Sequence, residues 1–345
     1  MEIQEILEQL CAADGVSGAE DNACRAAVSL LSEYTDSAKA DKFGCVTGFI
    51  GDRDNGKPTL MLEAHIDEIG FIVTYIDEKG FLKVGGVGGT DRRLYPAQTV
   101  TIHTGNGNIK GVICTLPPHV RTDTSKTAKL EDIAIDIGYP TREEAEKHVS
   151  PGDRVTIDNE LVHLIGTRYS SKALDDRAGA AAVLYALELL KDKQTAYNIE
   201  VLFASQEEVG SRGAIISAFN SGAQFALCTD VSFAYTPDAK KHQCGEMGKG
   251  AMIGVSPVLD RQISDELKVL AKRFDIPWQP EIMGSSTGTD ADDISVSRGG
   301  IRTGLISIPQ KYMHTPVEIV DIEDIRAVSR LMAAFAEGGA EDAFI

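Results

Sequence analysis

Acids and imidazoles recur in this chain where apolar runs end. His65 follows Thr59-Leu60-Met61-Leu62-Glu63-Ala64, and Asp67 comes two residues later. Asp175 and Asp176 follow Leu174 and lead into a helical pattern rich in small residues. Glu207 and Glu208 come just after the run Ile199 to Ala204, Asp230 closes the run from Gln224, and His314 lies in a loop beside Pro316. The C-terminal ends of strands are where open α/β sheets place their ligand sites. In an extended chain residues i and i+2 point the same way, so Asp67 can orient the His65 ring. Two imidazoles and three carboxylates (His65, His314, Asp175, Glu208 and Asp230) suit a pair of borderline divalent ions such as zinc, cobalt or manganese. Asp175 as a bridge gives one oxygen to each ion and leaves two terminal ligands for each. Glu207 is then the spare carboxylate, able to take a proton from an acidified water and return it to a leaving amine. The chemistry is peptide-bond hydrolysis without a covalent intermediate.

Each piece has a structural alternative. A helix N-terminus uses one Asp as a cap, a Glu-Glu pair opening a helix answers its dipole, and a histidine can simply bond its neighbour. Asp230 alone is a weak signal. Their recurrence at successive strand ends favours the metal reading over these alternatives.

The elements that must position these residues can be read from apolar spacing. A helix is expected over 3–11 and a second over 19–34, with strands at 45–50 and 59–64. From about 71 to 165 the chain changes character. Short strands at 71–76, 81–84, 99–103, 108–116 and 154–157, separated by turn signals, suggest a small β-barrel or sandwich. Within it, Pro117 to Leu130 reads as a polar, basic loop and 141–148 as a short helix. Alternation of helix and strand then resumes. Helices are expected at 177–191, 261–274 and 322–337, and strands at 199–204, 224–230, 252–255 and 301–308. The run Ser285 to Ala291 reads as capping mixed with substrate contact.

At 345 residues, one or two domains are expected. A formal net charge of -18 argues against nucleic acid or an anionic membrane as partner. The cysteines are scattered, and are expected to be buried reduced thiols of a cytosolic protein. The acidic start Met1-Glu2-Ile3-Gln4-Glu5 does not read as a secretory leader, and no stretch is long and apolar enough to span a bilayer.

The assembled motifs resemble those of metallopeptidase family 42, the glutamyl-aminopeptidase-like or tetrahedral dinuclear metallo-aminopeptidases. The resemblance is carried by Ala64-His65-Ile66-Asp67-Glu68-Ile69-Gly70, Leu174-Asp175-Asp176-Arg177, Glu207-Glu208-Val209-Gly210 and Asp230-Val231. It continues through Gly288-Thr289-Asp290-Ala291 and His314-Thr315-Pro316-Val317-Glu318, in order across almost the whole chain. It implies an α/β/α dinuclear zinc-exopeptidase domain over 1–68 and 166–345. Residues 69–165 would be an inserted PDZ-like β-barrel for oligomerisation. It further implies that His65 and Asp230 hold one metal and Glu208 and His314 the other. Asp175 would bridge, Asp67 would support His65, and Glu207 would be the general base. A cis Asp175–Asp176 peptide, zinc or cobalt as the metals and short peptides with a free N-terminus as substrates also follow. So do a cytoplasmic location and homodimers assembled into a hollow tetrahedral dodecamer. The alternatives are a related dinuclear amidohydrolase (an acyl-amino-acid deacylase or a carboxypeptidase-like enzyme) and a non-catalytic metal- or peptide-binding relative. The presence of Glu207 speaks against the last.

Overall fold

The computed structural model describes residues 1–115 and 129–338. Most of the loop read at Pro117 to Leu130 therefore lies outside the described residues. Helices α1 (Ile3–Ala12) and α2 (Asp21–Leu31) precede strands β1 (Lys39–Ala40), β2 (Val46–Ile50) and β3 (Thr59–His65). Then come β4 (Gly70–Ile76), β5 (Leu82–Val87), β6 (Thr99–Thr104), β7 (Gly107–Ile113), β8 (Ile135–Asp136), helix α3 (Arg142–Ala145) and β9 (Arg154–Ile157). The remainder is β10 (Val162–His163), β11 (Arg168–Ser171), α4 (Leu174–Leu190), β12 (Asn198–Ala204), α5 (Arg212–Asn220), β13 (Phe225–Phe233), β14 (Ala251–Val255), α6 (Arg261–Arg273), β15 (Trp278–Ile282), α7 (Ala291–Ser295), β16 (Arg302–Gln310), β17 (Glu318–Asp321) and α8 (Ile322–Ala336).

The main sheet has the order β1-β2-β12-β3-β13-β16-β14-β15, and its central strands β12, β3, β13 and β16 run parallel. These central strands bury both faces, as near-continuous apolar runs require. Alternation sorts the side chains. Leu60, Leu62 and Ala64 of β3, with Ile199, Val201 and Phe203 of β12, join the core under α1, α2, α4, α6 and α8. Met61, Leu202 and Ala204 face the other way, against Ala214 and Ala218 of α5 and Ala291 and Ile294 of α7. The result is an α/β/α sandwich.

Strands β4-β5-β8-β7-β6-β9 close into a six-stranded barrel. Its interior is filled by Phe71, Val73, Leu82, Val100, Ile102, Ile135 and Val155, and Tyr95 packs edge-on against Phe71 with ring centroids 4.8 Å apart. The sequence's choice between barrel and sandwich is thus resolved as a barrel. A third, three-stranded sheet, β10-β11-β17, had no clear apolar signal because its strands are short and partly exposed.

Other expectations are corrected. The strand expected to stop at Asp230 runs on to Phe233, because β16 continues beside it and pairs Val231 with Ile308, Ser232 with Pro309 and Phe233 with Gln310. Cys11, Cys24, Cys45 and Cys228 are buried, but Cys114 is exposed and Cys244 half-buried, and all are free thiols. No helix among the described residues is long and apolar enough to cross a membrane.

Beneath the strand ends lies a buried ion cluster. Glu68 accepts from Lys172 Nζ at 2.9 Å, Arg177 Nη2 at 3.4 Å and the Gly15 amide at 3.0 Å. The Arg177 side chain is fully buried and also donates to the carbonyls of Leu10, Ala13 and Ile66. It therefore adds a donor to carbonyls at the C-terminal end of α1, where the helix itself supplies few. Removing one member of such a cluster strands the others. Arg177→Met is expected to lower the unfolding free energy by about 3–5 kcal/mol, read from urea denaturation. A loss within the range of an ordinary surface substitution would show that the cluster contributes little.

Candidate active site and metal centre

The parallel strands bring their C-terminal ends to one edge, and the helices crossing on both faces leave a crevice there. His65 is the last residue of β3 and pairs in register with Ala204, the last of β12. The chain leaving β12 turns through Glu207 and Glu208 before α5. The Glu207 carbonyl accepts from the Gly210 and Ser211 amides, so the glutamates lie in this turn rather than in the helix. Asp230 lies inside β13, three residues short of its end, and His314 follows β16.

Asp175 stands at the centre. Its Oδ1 lies 3.0 Å from His65 Nε2, and its Oδ2 lies 3.2 Å from His314 Nε2. His65 Nε2 is 3.9 Å from Asp230 Oδ1, and His314 Nε2 is 3.5 Å from Glu208 Oε1. Two donor groups result, His65–Asp175–Asp230 and Asp175–Glu208–His314. Within each, the ligand atoms lie within 4.8 Å of one another. The Asp175–Asp176 peptide is cis, and both residues depart from helical φ/ψ although they begin α4. The neighbouring aspartates divide two jobs. Asp176 Oδ1 accepts from the Gly179 amide, as a capping side chain does, while Asp175 faces the imidazoles. The capping alternative read from the sequence thus falls to Asp176, and Asp175 is left free to face the two imidazoles.

Second contacts fix these groups. Asp67 is fully buried; it accepts from Ser17 Oγ at 2.6 Å, the Glu207 amide at 3.0 Å and the Glu208 amide at 3.3 Å. Its Oδ1 also lies 3.5 Å from His65 Nδ1. Asp67 thus links the His65 strand to the glutamate turn. Glu318, at the start of β17, accepts from the Asp175 amide at 3.1 Å and the His314 amide at 2.9 Å, one on each oxygen. In the sequence Glu318 closes the last motif and carries no role of its own. Its signal was a lone acid four residues past His314, indistinguishable from a surface charge until β17 pairs with β11 and buries it. Ala173, Gln206 and His314 hold φ of 58°, 59° and 59°, so left-handed backbone flanks three of the ligand segments.

The electrostatics are those of crowded acids. Burial works against charge on Asp175, but hydrogen bonds from His314 and His65 outweigh it and hold its carboxyl well below the ordinary range. Burial, then the nearby Asp175 charge, pushes Glu208 up to about 10. Asp230 is raised well above the ordinary value by burial and by the charges of Asp176 and Asp175. Glu207 is pushed up to about 7, chiefly by burial. No lysine or arginine lines this crevice among the described residues. Imidazole and carboxylate donors gathered without a cation are a donor set for divalent ions of the zinc type. The residues therefore fit a pair of such ions. Asp67→Ala is expected to weaken zinc binding about 10–100-fold in calorimetric titration. Unchanged affinity would show that the His65 ring needs no support from Asp67.

The chain is similar to known proteins in both sequence and fold. The family model for M42 glutamyl aminopeptidase matches residues 44–331. The lysyl aminopeptidase of Pyrococcus furiosus is 33% identical over 344 residues, covering 96% of each chain. An aminopeptidase from the archaeon Desulfurococcus kamchatkensis superposes with a TM-score of 0.91 at 33% identity, over 99% of this chain and 96% of that one. The TET1 peptidase of Pyrococcus horikoshii, which can assemble into a tetrahedron or a large octahedral shell, superposes with a TM-score of 0.85 at 29% identity, over 97% of this chain and 99% of that one. With a family match over most of its length and a relative aligned end to end, the chain belongs to the M42 glutamyl aminopeptidase family.

Proposed function

We propose that this protein is an aminopeptidase that removes the first residue from short peptides with a free N-terminus, using two divalent ions, zinc or cobalt. The observation that carries the reading is the sharing of Asp175 between two donor groups, with the spare carboxylate of Glu207 beside them. His65 and Asp230 would hold one ion, Glu208 and His314 the other, and Asp175 both. Bound there, the ions supply positive charge that polarises the scissile carbonyl and acidifies water.

Glu207 takes a proton from the attacking water at its carboxylate and returns it to the leaving amine. Its half-buried position, with a pKa pushed up to about 7 by burial, suits a group that must do both. Asp67 holds the His65 ring and the amides of Glu207 and Glu208 in fixed relation. Glu318 fastens the Asp175 and His314 backbones. The crevice favours an aminopeptidase over a carboxypeptidase. With acids and no lysine or arginine along its walls, it suits a substrate ammonium and has no lysine or arginine to pair with a substrate carboxylate.

We assign residues 1–68 and 166–345 to the catalytic unit and 69–165 to oligomerisation. The barrel strands, which fall within Gly70–Ile157, support this division. A homo-oligomer of dimers, up to a tetrahedral dodecamer, is the assembly proposed, by analogy with the Pyrococcus horikoshii peptidase. Free cysteines are consistent with a cytoplasmic location.

The deciding experiment is a panel of aminoacyl chromogenic substrates, free and N-acetylated, with metal-stripped and metal-reconstituted protein. Cleavage of free-amine substrates alone, restored by zinc or cobalt, is expected. Cleavage of blocked substrates would point to a deacylase. Glu207→Gln is expected to keep both ions and lose at least 100-fold in kcat. Asp175→Ala is expected to lose tight binding of both ions by calorimetry, and retention of two ions would remove it from the bridging role.

A further inference from the structure

The crevice does not end at the candidate ligands. It continues along the sheet as a cavity of about 1000 Å³, and Glu281 of β15 lies in its wall. The side chain reaches back across the sheet. Its Oε1 accepts from Ser232 Oγ of β13, and its Oε2 accepts from Ser307 Oγ of β16 at 2.6 Å. Ser307 is the cross-strand neighbour of Asp230. Both serines that hold the Glu281 carboxylate thus neighbour Asp230, one across the ladder and the other two residues along β13. A long side chain reaches this carboxylate when the backbone that carries it sits at the donor groups.

This carboxylate is built in and left without a counter-charge. Two hydroxyl donors fix its plane and leave further lone pairs on both oxygens. It makes no ion pair among the described residues, and no lysine or arginine lines the cavity with it. The other cavity acids, Asp175, Glu207, Glu208 and Asp230, have roles at the proposed metal centre, whereas Glu281 has none. Burial raises its carboxyl above the ordinary value, and a cation beside it would restore its charge. An acidic side chain placed beside Glu281 would meet a like charge, with no lysine or arginine in the cavity wall to receive it. A neutral aliphatic one would cover a carboxylate and leave it unpaired, which is unfavourable.

We infer that Glu281, positioned by Ser232 and Ser307, selects peptides whose first residue carries a positive side chain, lysine or arginine. The inference rests on the aminopeptidase reading above. A charge-assisted hydrogen bond in this setting corresponds to roughly 10- to 100-fold in kcat/KM.

The test compares lysyl, arginyl, norleucyl, leucyl and glutamyl aminomethylcoumarin substrates with the metal-reconstituted enzyme. Norleucine matches the lysine stem and lacks the ammonium, so the wild-type lysyl-to-norleucyl ratio reads the effect without any substitution. A ratio of about 10–100 is expected. Glu281→Gln is expected to lower that ratio about tenfold or more, with the double variant Ser232→Ala, Ser307→Ala lowering it less. A wild-type ratio near one alongside brisk norleucyl hydrolysis would overturn the role of Glu281. So would an unchanged ratio in folded Glu281→Gln protein. Either result would leave the aminopeptidase reading standing. Failure to cleave any free-amine substrate would overturn both.

Discussion

Asp175 offers one oxygen to each of two imidazoles, at 3.0 Å and 3.2 Å, and much of the surrounding structure serves that meeting. His65 and His314 come from chain segments far apart in sequence, and neither strand geometry nor helix propensity alone would bring them together. The sheet does so by ending its parallel strands at one edge. Glu318 then ties the two backbone segments, and Asp67 ties the His65 strand to the glutamate turn. The acids gathered around this pair repel one another, and burial raises the cost of charging them. Such a cluster persists only where the scaffold over-determines each position. The left-handed residues at its margin fit that constraint.

A second set of charges, of the opposite design, lies beside this edge. Glu68 is neutralised by Lys172 and Arg177, and Arg177 also takes up helix-end carbonyls of α1. Glu68 lies one residue from Asp67, and Arg177 two residues from Asp175. The paired cluster and the unpaired one thus sit on the same chain segments. One is closed by internal cations, and the other is left open on the side where ligands approach.

How much of this could be read beforehand depended on the kind of signal. The long apolar runs of β3, β12, β13 and β16 placed His65, Glu207, Glu208, Asp230 and His314 near strand ends, because burial on both faces leaves few alternatives to a central parallel strand. The end of β13 was misjudged, since the acid that looked like a terminator is held inside the ladder by its neighbour. The short strands β10, β11 and β17 carry too few buried residues for a period to show. Glu318 and Glu281 were invisible as functional groups. Their partners, two backbone amides in one case and two serine hydroxyls in the other, are adjacent only after the chain has folded.

The barrel meets the donor groups through a segment that has no side chains, and this limits how the two parts can be exchanged. Gly88 holds φ +74, and a Cβ there would come within 2.7 Å of Ile69 Cγ2 and 3.1 Å of Glu208 Oε2. A Cβ on Gly89 would lie 3.0 Å from His314 Nδ1. The wall on that side of the crevice is bare peptide, fitted to two of the imidazole and carboxylate groups. A barrel transplanted between relatives would have to bring these glycines with it. Shuffling that kept the strands and altered this loop would leave both folds intact and spoil the crevice between them.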